Sequence, residues 1–340
     1  MGKIKSVAFI TFLLLILTGS CKRDHFRINT SGIKVEINIK RLEKDLFSAN
    51  PAKLKEVIPS LRGRYGNFLK YFGSVINIGE ESDSSWLDGL TSFCTDKMNN
   101  QVYNAVIERY PDLDELGKQL TDAFKHYRYY FPGKTIPGIY TFISGFNYSI
   151  ITADSILGIG LDKYLGSESK FYPALGIYKY QTVKMNAYNI VPDCMYAWAT
   201  KEWDFKNTGY KEDNVLAEII HEGKLLYFVK SMLSEYQENL VFGFTSEQLK
   251  FCVNNEGQMW QYLVENNLLF STDQLTKRKL VSEAPFTSYF TKESPGKAAT
   301  WLGFRIIDSF MQNSKGLSIV EMMKETDVQG ILEKARYSPR

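Results

Sequence analysis

The chain has 340 residues, 44% of them hydrophobic and 23% charged, a globular balance that excludes wholesale disorder. Its formal net charge is +3, and Lys3 and Lys5 lie in a leader, so the mature chain is close to neutral and lacks the basic excess on which nucleic-acid affinity rests. Only three histidines are present, His25, His126 and His221, so a three-His metal site would need all of them. Aromatics make up 14%, which suits a large aromatic core or a surface facing sugar or peptide.

Residues 1–20 read as an export signal. Lys3 and Lys5 precede an apolar run over residues 7–17, too short for a bilayer span of about 20 residues. Leu17-Thr18-Gly19-Ser20-Cys21 follows. It resembles the lipobox of bacterial lipoproteins, although Thr18 stands where leucine is commonest. The resemblance implies a diacylglycerol on the Cys21 thiol and acyl chains, palmitate among them, at the new N-terminus. Several such chains anchor stably, at about 0.8 kcal/mol per buried CH₂. Residues 21–32 then read as a lipidated tether and 33–340 as one folded domain. Cys94, Cys194 and Cys252 are far apart and form no C-x-x-C pair, so a cysteine zinc cluster is not expected. An oxidising envelope permits one disulfide among them. Burial as small hydrophobes is the expected role.

Residues 35–39 alternate apolar and polar, predicting a strand, and residues 41–47 predict a short helix. Residues 52–71 and 97–131 are mostly helical by period, with Pro111 starting a new helix. Residues 139–161 are the best strand region: Leu157, Ile159 and Leu161 point one way, while Gly158 and Gly160 leave the other face small. This G-x-G is no nucleotide fingerprint, since Lys163 replaces the third glycine. Loops are expected around Pro173 and Pro192. Helices are predicted over 215–233, capped by Asp213 or Asn214, and over 245–266, 272–281, 296–312 and 318–324. No repeat or flexible linker interrupts the pattern. The sum is an α+β fold, predominantly helical, with a small sheet.

One helix is chemically loaded. Residues 215–229 are apolar nearly all round, so the helix should be buried. Its exceptions are Glu218, His221, Glu222 and Lys224, and the first three share a face by the i, i+3, i+4 rule. Such a stripe needs water, partners or an ion. His221 is expected to pair with Glu218 or Glu222. His221-Glu222-Gly223-Lys224-Leu225 is the metalloprotease motif H-E-x-x-H with leucine at its second ligand. Glu256, 35 residues beyond His221, could supply a downstream ligand. His221 and Glu256 are thus the candidate metal ligands, with Glu222 the candidate base. A one-His, one-Glu remnant falls short of the usual three protein ligands, and no cofactor is expected. A second cluster surrounds Trp301 and Arg305, four residues apart. Core packing is its expected role, and a peptide or glycan contact the alternative.

Several segments together resemble the gliding-motility lipoprotein GldB family of the Bacteroidetes. They are the lipobox at Cys21, Val35-Glu-Ile-Asn-Ile-Lys-Arg-Leu-Glu-Lys-Asp-Leu-Phe47, Gly158-Ile-Gly-Leu-Asp-Lys-Tyr-Leu-Gly166 and His221-Glu-Gly-Lys-Leu-Leu-Tyr-Phe228. Asn255-Glu-Gly-Gln-Met-Trp260, Pro295-Gly-Lys-Ala-Ala-Thr-Trp-Leu-Gly303 and Ala335-Arg-Tyr-Ser-Pro-Arg340 complete the series. The resemblance implies a zincin-like single domain with a degenerate H-E-x-x-H. It also implies a lipid-anchored envelope protein, periplasm-facing on the inner or outer membrane, associated with gliding and its secretion apparatus. Its expected partners are the membrane, through Cys21, and envelope proteins of the gliding machinery. No nucleic acid is expected. The alternative is a zinc-dependent hydrolase using His221, Glu222 and Glu256.

Overall fold

The structure, a computed structural model, describes residues 25–339. The leader and Cys21 lie outside the described residues. The chain opens with a short strand β1 (Ile39–Arg41) and helices α1 (Leu42–Phe47), α2 (Leu54–Tyr65), α3 (Asn67–Val75), α4 (Trp86–Thr95), α5 (Lys97–Arg109) and α6 (Asp114–Tyr130). Strands β2 (Gly138–Phe142), β3 (Ile150–Ala153) and β4 (Ile156–Gly160) follow. The remainder is helical: α7 (Phe171–Ala174), α8 (Lys179–Thr182), α9 (Ile190–Glu202), α10 (Val215–Met232), α11 (Glu238–Val241), α12 (Ser246–Asn254) and α13 (Glu256–Glu265), then α14 (Gln274–Val281), α15 (Ala299–Asn313), α16 (Ile319–Lys324) and α17 (Val328–Ala335). The fold is therefore the predominantly helical α+β class expected.

The sheet has the order β1-β2-β4-β3, parallel except for β3, which runs antiparallel to β4. Alternation along the strands sends side chains to two cores. Ile139 of β2 and Leu157 and Ile159 of β4 enter the larger core with the C-terminal helices. Tyr140, Phe142 and Ile156 face a smaller core built by α1 to α4. There the Phe68 ring stacks on Tyr140 at 4.4 Å. Gly158 faces this smaller core, where an added Cβ would lie 2.6 Å from Ile151 and 2.9 Å from Phe68. The small face expected at Gly158 is thus filled by its neighbours.

Several boundaries differ from the sequence reading. The strand expected over 35–39 is reduced to Ile39–Arg41, because only these residues find ladder partners on β2. The helix expected over 52–71 divides at Gly66, whose φ of 53° an L-residue adopts at a cost. Pro111 does not itself begin a helix; α6 starts three residues later, at Asp114. Residues 245–266 form two helices meeting at Asn255. Pro192 is not in a loop but in the first turn of α9, where its missing N–H is not needed. The stretch expected as a tether packs earlier than its composition suggested, since Phe26 is only 6% exposed.

After β4, Asp162 is fully buried and organises the β2–β3 connection. Its Oδ2 accepts the backbone N–H groups of Ser144 (3.0 Å) and Phe146 (2.6 Å) and the Ser144 hydroxyl (3.1 Å). These bonds hold Gly145 and Phe146 in the left-handed region, at φ 67° and 66°. Burial outweighs them and pushes the Asp162 carboxyl up to about 6. Cys94, Cys194 and Cys252 are buried and free, and burial pushes Cys94 and Cys252 up to about 12.

Candidate functional site

The Asn214 side chain caps α10 by accepting the Ala217 N–H at 2.9 Å, so the helix begins where the sequence placed it. α10 crosses α15 with backbones in contact. A Cβ on Gly223 would sit 2.2 Å from the Gly303 carbonyl, and one on Gly303 would sit 1.9 Å from the Ile219 oxygen. Glycine at both positions allows the two helices to cover each other, which is why α10 is apolar on nearly every side. Its polar residues must then find partners within the protein.

They find different ones. His221 is 5% exposed and sits edge-on to Phe205 and Tyr210, with ring centroids at 5.2 and 5.7 Å. Its Nδ1 lies 3.4 Å from the Tyr210 hydroxyl. Burial, reinforced by the Lys224 ammonium, pushes His221 down to about 4, so the ring is neutral at pH 7. The expected pairing of His221 with Glu218 or Glu222 is therefore corrected: its polar neighbour is Tyr210. Lys224 is itself buried, donates to the Glu325 carbonyl and lies 5.1 Å from the Tyr210 ring centroid. Burial lowers it to about 8. Glu218 pairs with Lys277 at 3.3 Å, and Lys277 also holds Asp213. Glu222 turns to Tyr196, whose hydroxyl donates to Oε2 at 2.6 Å.

Glu256, at the start of α13, accepts the Arg305 Nε–H at 3.1 and 3.2 Å and the Tyr337 hydroxyl at 2.8 Å. Leu225 is wholly buried. Among the described residues no group of three or more His, Cys, Asp or Glu is placed to share a metal ion. His221, Glu222 and Glu256 are thus dispersed to separate partners and do not fit a zinc site. Trp301 is packed against Phe242 at 5.0 Å, as the core reading expected, and is not a surface ring for a glycan. Arg305 lies 5.9 Å over the Trp301 ring.

On the Glu222 side of α10 lies a constellation that no spacing in the sequence announced. A cleft of about 360 Å³ is lined by Lys163, Tyr164, Lys184, Asp193, Tyr196 and Glu283, among others. Tyr164 comes from the turn after β4, Asp193 and Tyr196 from α9, and Lys184 from the loop after α8. Glu283 stands half-exposed at the mouth and accepts Lys184 Nζ at 2.7 Å and Lys297 Nζ at 2.8 Å. Burial works to raise the Glu283 carboxyl, but Lys297 and Lys184 outweigh it and hold it at about 2. The Tyr164 hydroxyl donates to Asp193 Oδ2 at 2.8 Å. That bond and the two lysines do not offset burial, which pushes Asp193 up to about 6. Burial likewise raises Glu222, against the Tyr196 bond and the Lys297 charge.

The loop from 283 to 298 is locked so that Lys297 reaches inward. The Thr287 hydroxyl donates to the Pro295 carbonyl at 2.7 Å and accepts the Ala298 N–H at 2.9 Å. A Cβ on Gly296 would meet the Ala284 oxygen at 2.1 Å, and Lys297 takes φ 54°. Pro295-Gly296-Lys297 is thus a device for delivering one ammonium to Glu283. Asp162-Lys163-Tyr164 combines a loop anchor with two cleft residues. The cleft offers acids, amines and hydroxyls in fixed positions. It suits recognition of a polar group, and Cys194, buried with its pKa well raised, offers it no thiolate.

The family model described as gliding motility protein GldB matches residues 23–339, and the chain belongs to that family. No curated protein and no solved structure matches it.

Proposed function

We propose that this gliding-motility lipoprotein is held in the cell envelope by acyl chains on Cys21 and acts by binding protein partners of the gliding and secretion apparatus, without catalysis. The observation that carries the reading is the dispersal of His221, Glu222 and Glu256. The residues a hydrolase would need are committed to Tyr210, Tyr196 and Arg305 respectively. The cleft beside Glu222 is the proposed contact for a polar segment of a partner, because its charged groups are already paired and positioned before any partner arrives. The family and the leader read from the sequence support the envelope location. No helix among the described residues is long and apolar enough to cross a membrane.

The test is complementation of a gliding strain that lacks its own family member. His221→Phe should restore spreading, whereas Cys21→Ala should fail and leave the protein out of the membrane fraction. Zinc-dependent peptide hydrolysis by the purified protein, abolished by His221→Phe, would replace the binding reading with the hydrolase.

A further inference from the structure

The first described residues are clamped to the domain. Phe26 is buried, with its ring 4.9 Å from Tyr227 and 6.5 Å from Phe304. The His25 ring lies tilted against Phe26, with centroids 4.1 Å apart, and its Nε2 lies 3.3 Å from Asp308. Lys230 Nζ sits 5.9 Å over the Phe26 ring, and Arg27 pairs with Glu235 at 3.2 Å. Burial of the phenylalanine ring favours the closed clamp over a free tether.

Cys21 lies four residues before His25. At no more than about 3.6 Å per residue, the intervening chain reaches about 14 Å. The headgroup region separating acyl chains from water is roughly 5–8 Å thick. An acylated Cys21 therefore leaves only a thin layer between bilayer and domain. The surface at the chain's entry has matching chemistry. Tyr129, 51% exposed, meets Tyr130 edge-on at 5.0 Å, and Tyr130 is close enough to Tyr227 to influence its ionisation. Lys230 supplies positive charge there, Arg27 is balanced by Glu235, and Lys22 and Arg23 precede them in the chain. Tyrosines and basic side chains are the residues that settle at a headgroup layer.

We propose that the face around Phe26, Tyr129, Tyr130 and Lys230 rests on the bilayer surface, so that the domain has one orientation on the membrane rather than swinging on a leash. This rests on the Cys21 anchor proposed above. Glu222 is five residues before Tyr227, about 140° round the helix at 3.6 residues per turn. The cleft beside Glu222 thus lies on a different flank of α10 from the Phe26 contact and is left open to partners.

The experiment uses the full lipidated protein in phosphatidylethanolamine–phosphatidylglycerol vesicles containing a headgroup-attached quencher. Single cysteines carrying a fluorophore replace Tyr129 and, beside the cleft, Tyr178, which is 69% exposed. The three native cysteines of the folded domain are buried and should not label. Quenching at Tyr129→Cys should exceed that at Tyr178→Cys several-fold. In Phe26→Ala protein that still melts cooperatively, the two should converge, because the clamp is released while the anchor remains. Protein that floats with the vesicles but shows equal quenching at both positions without the Phe26 change overturns the orientation alone. Protein that does not float overturns the anchor, and the orientation with it.

Discussion

His221 and Glu222 are neighbours in the chain and live in opposite environments. His221 faces two aromatic rings and a buried lysine, with a single long contact to Tyr210, and is held neutral. Glu222 faces a cleft in which Tyr196 donates to it and Lys297 and Glu283 stand nearby. The residue that a motif would single out thus sits in the less reactive surroundings. A helix buried all round gives each polar side chain its own environment, so sequence adjacency carries little chemical meaning there. The difference between the two flanks can be tested by perturbing both together and then each alone.

Both flanks depend on the crossing of α10 and α15, and changing it should have the largest effect. Gly223→Val would drive a side chain into the Gly303 backbone, which has no flexible end to yield. The expected loss is at or beyond the roughly 1–3 kcal/mol of ordinary overpacking. Denaturant unfolding should show a lower midpoint, and both flanks should report it: weaker protection at His221 and at Asp193 alike. An unchanged midpoint would mean the two helices are not in backbone contact.

The next effect separates the flanks by pH. His221 has a folded pKa of about 4 against an ordinary 6.5. Its contribution is fully present above pH 6.5 and is lost as pH falls toward 4, because the unfolded chain takes up the proton first. For a group this buried the loss is at most on the order of 3 kcal/mol. His221→Phe should therefore cost about 1 kcal/mol or less at neutral pH, yet flatten the fall in stability between pH 6.5 and 4. A parent and variant that lose stability in parallel would place the acid sensitivity elsewhere.

Glu283 tests the cleft flank. Glu283→Gln removes the carboxylate with which both Lys184 and Lys297 form ion pairs. Because the carboxylate is half-exposed, solvent screens the pairing, and about 1–2 kcal/mol is expected. The change should shrink at high salt. His221 is not among the groups Glu283 influences, so the acid fall ascribed to His221 should persist in this variant. Loss of that fall would couple the flanks and contradict their separation.

How much of this was legible beforehand depends on distance along the chain. The α10 helix and its cap at Asn214 were readable because period and capping chemistry act within a few residues. The capping boxes at Thr245 and Ser318 mark helix starts for the same reason. Pro192 misled because proline breaks helices except in the first turn, and only the neighbouring residues' placement shows which case applies. Reading it as a loop hid α9, and with α9 went Asp193 and Tyr196. The cleft is lined from positions 164, 184, 193, 196 and 283 and backed by Glu222 and Lys297, and no periodicity links residues so far apart. Only Gly158-Ile-Gly-Leu-Asp-Lys-Tyr164 and Pro295-Gly296-Lys297, noticed as family segments, pointed toward it. Neither segment says what it meets across the fold.

The smallest expected effect in acid concerns Asp193, and its sign is opposite to that of His221. The folded pKa of Asp193 is raised from 3.8 to about 6. Below 3.8 both folded and unfolded chains carry the proton, so burial of the carboxyl costs no ionisation. Between 3.8 and about 6 the unfolded chain gives up its proton first, and stability falls as pH rises. Asp193→Asn keeps an oxygen that can accept the Tyr164 hydroxyl and removes the ionisation. At pH values below 3.8 it should be nearly silent, within about 0.5 kcal/mol. Well above pH 6 it should stabilise the protein, because the parent then holds a buried anion that only Tyr164 directly bonds. Across the interval where His221 makes the parent weaker in acid, Asp193 makes it stronger, so a pH profile of the parent alone will look flatter than either group warrants. Relative to the parent, His221→Phe and Asp193→Asn should change the tilt of stability between pH 4 and 6 in opposite directions, the buried Asp162 contributing equally to all three proteins. Changes of the same sign would show that the Asp193 carboxyl is ionised throughout and that the lysines, rather than burial, govern the cleft.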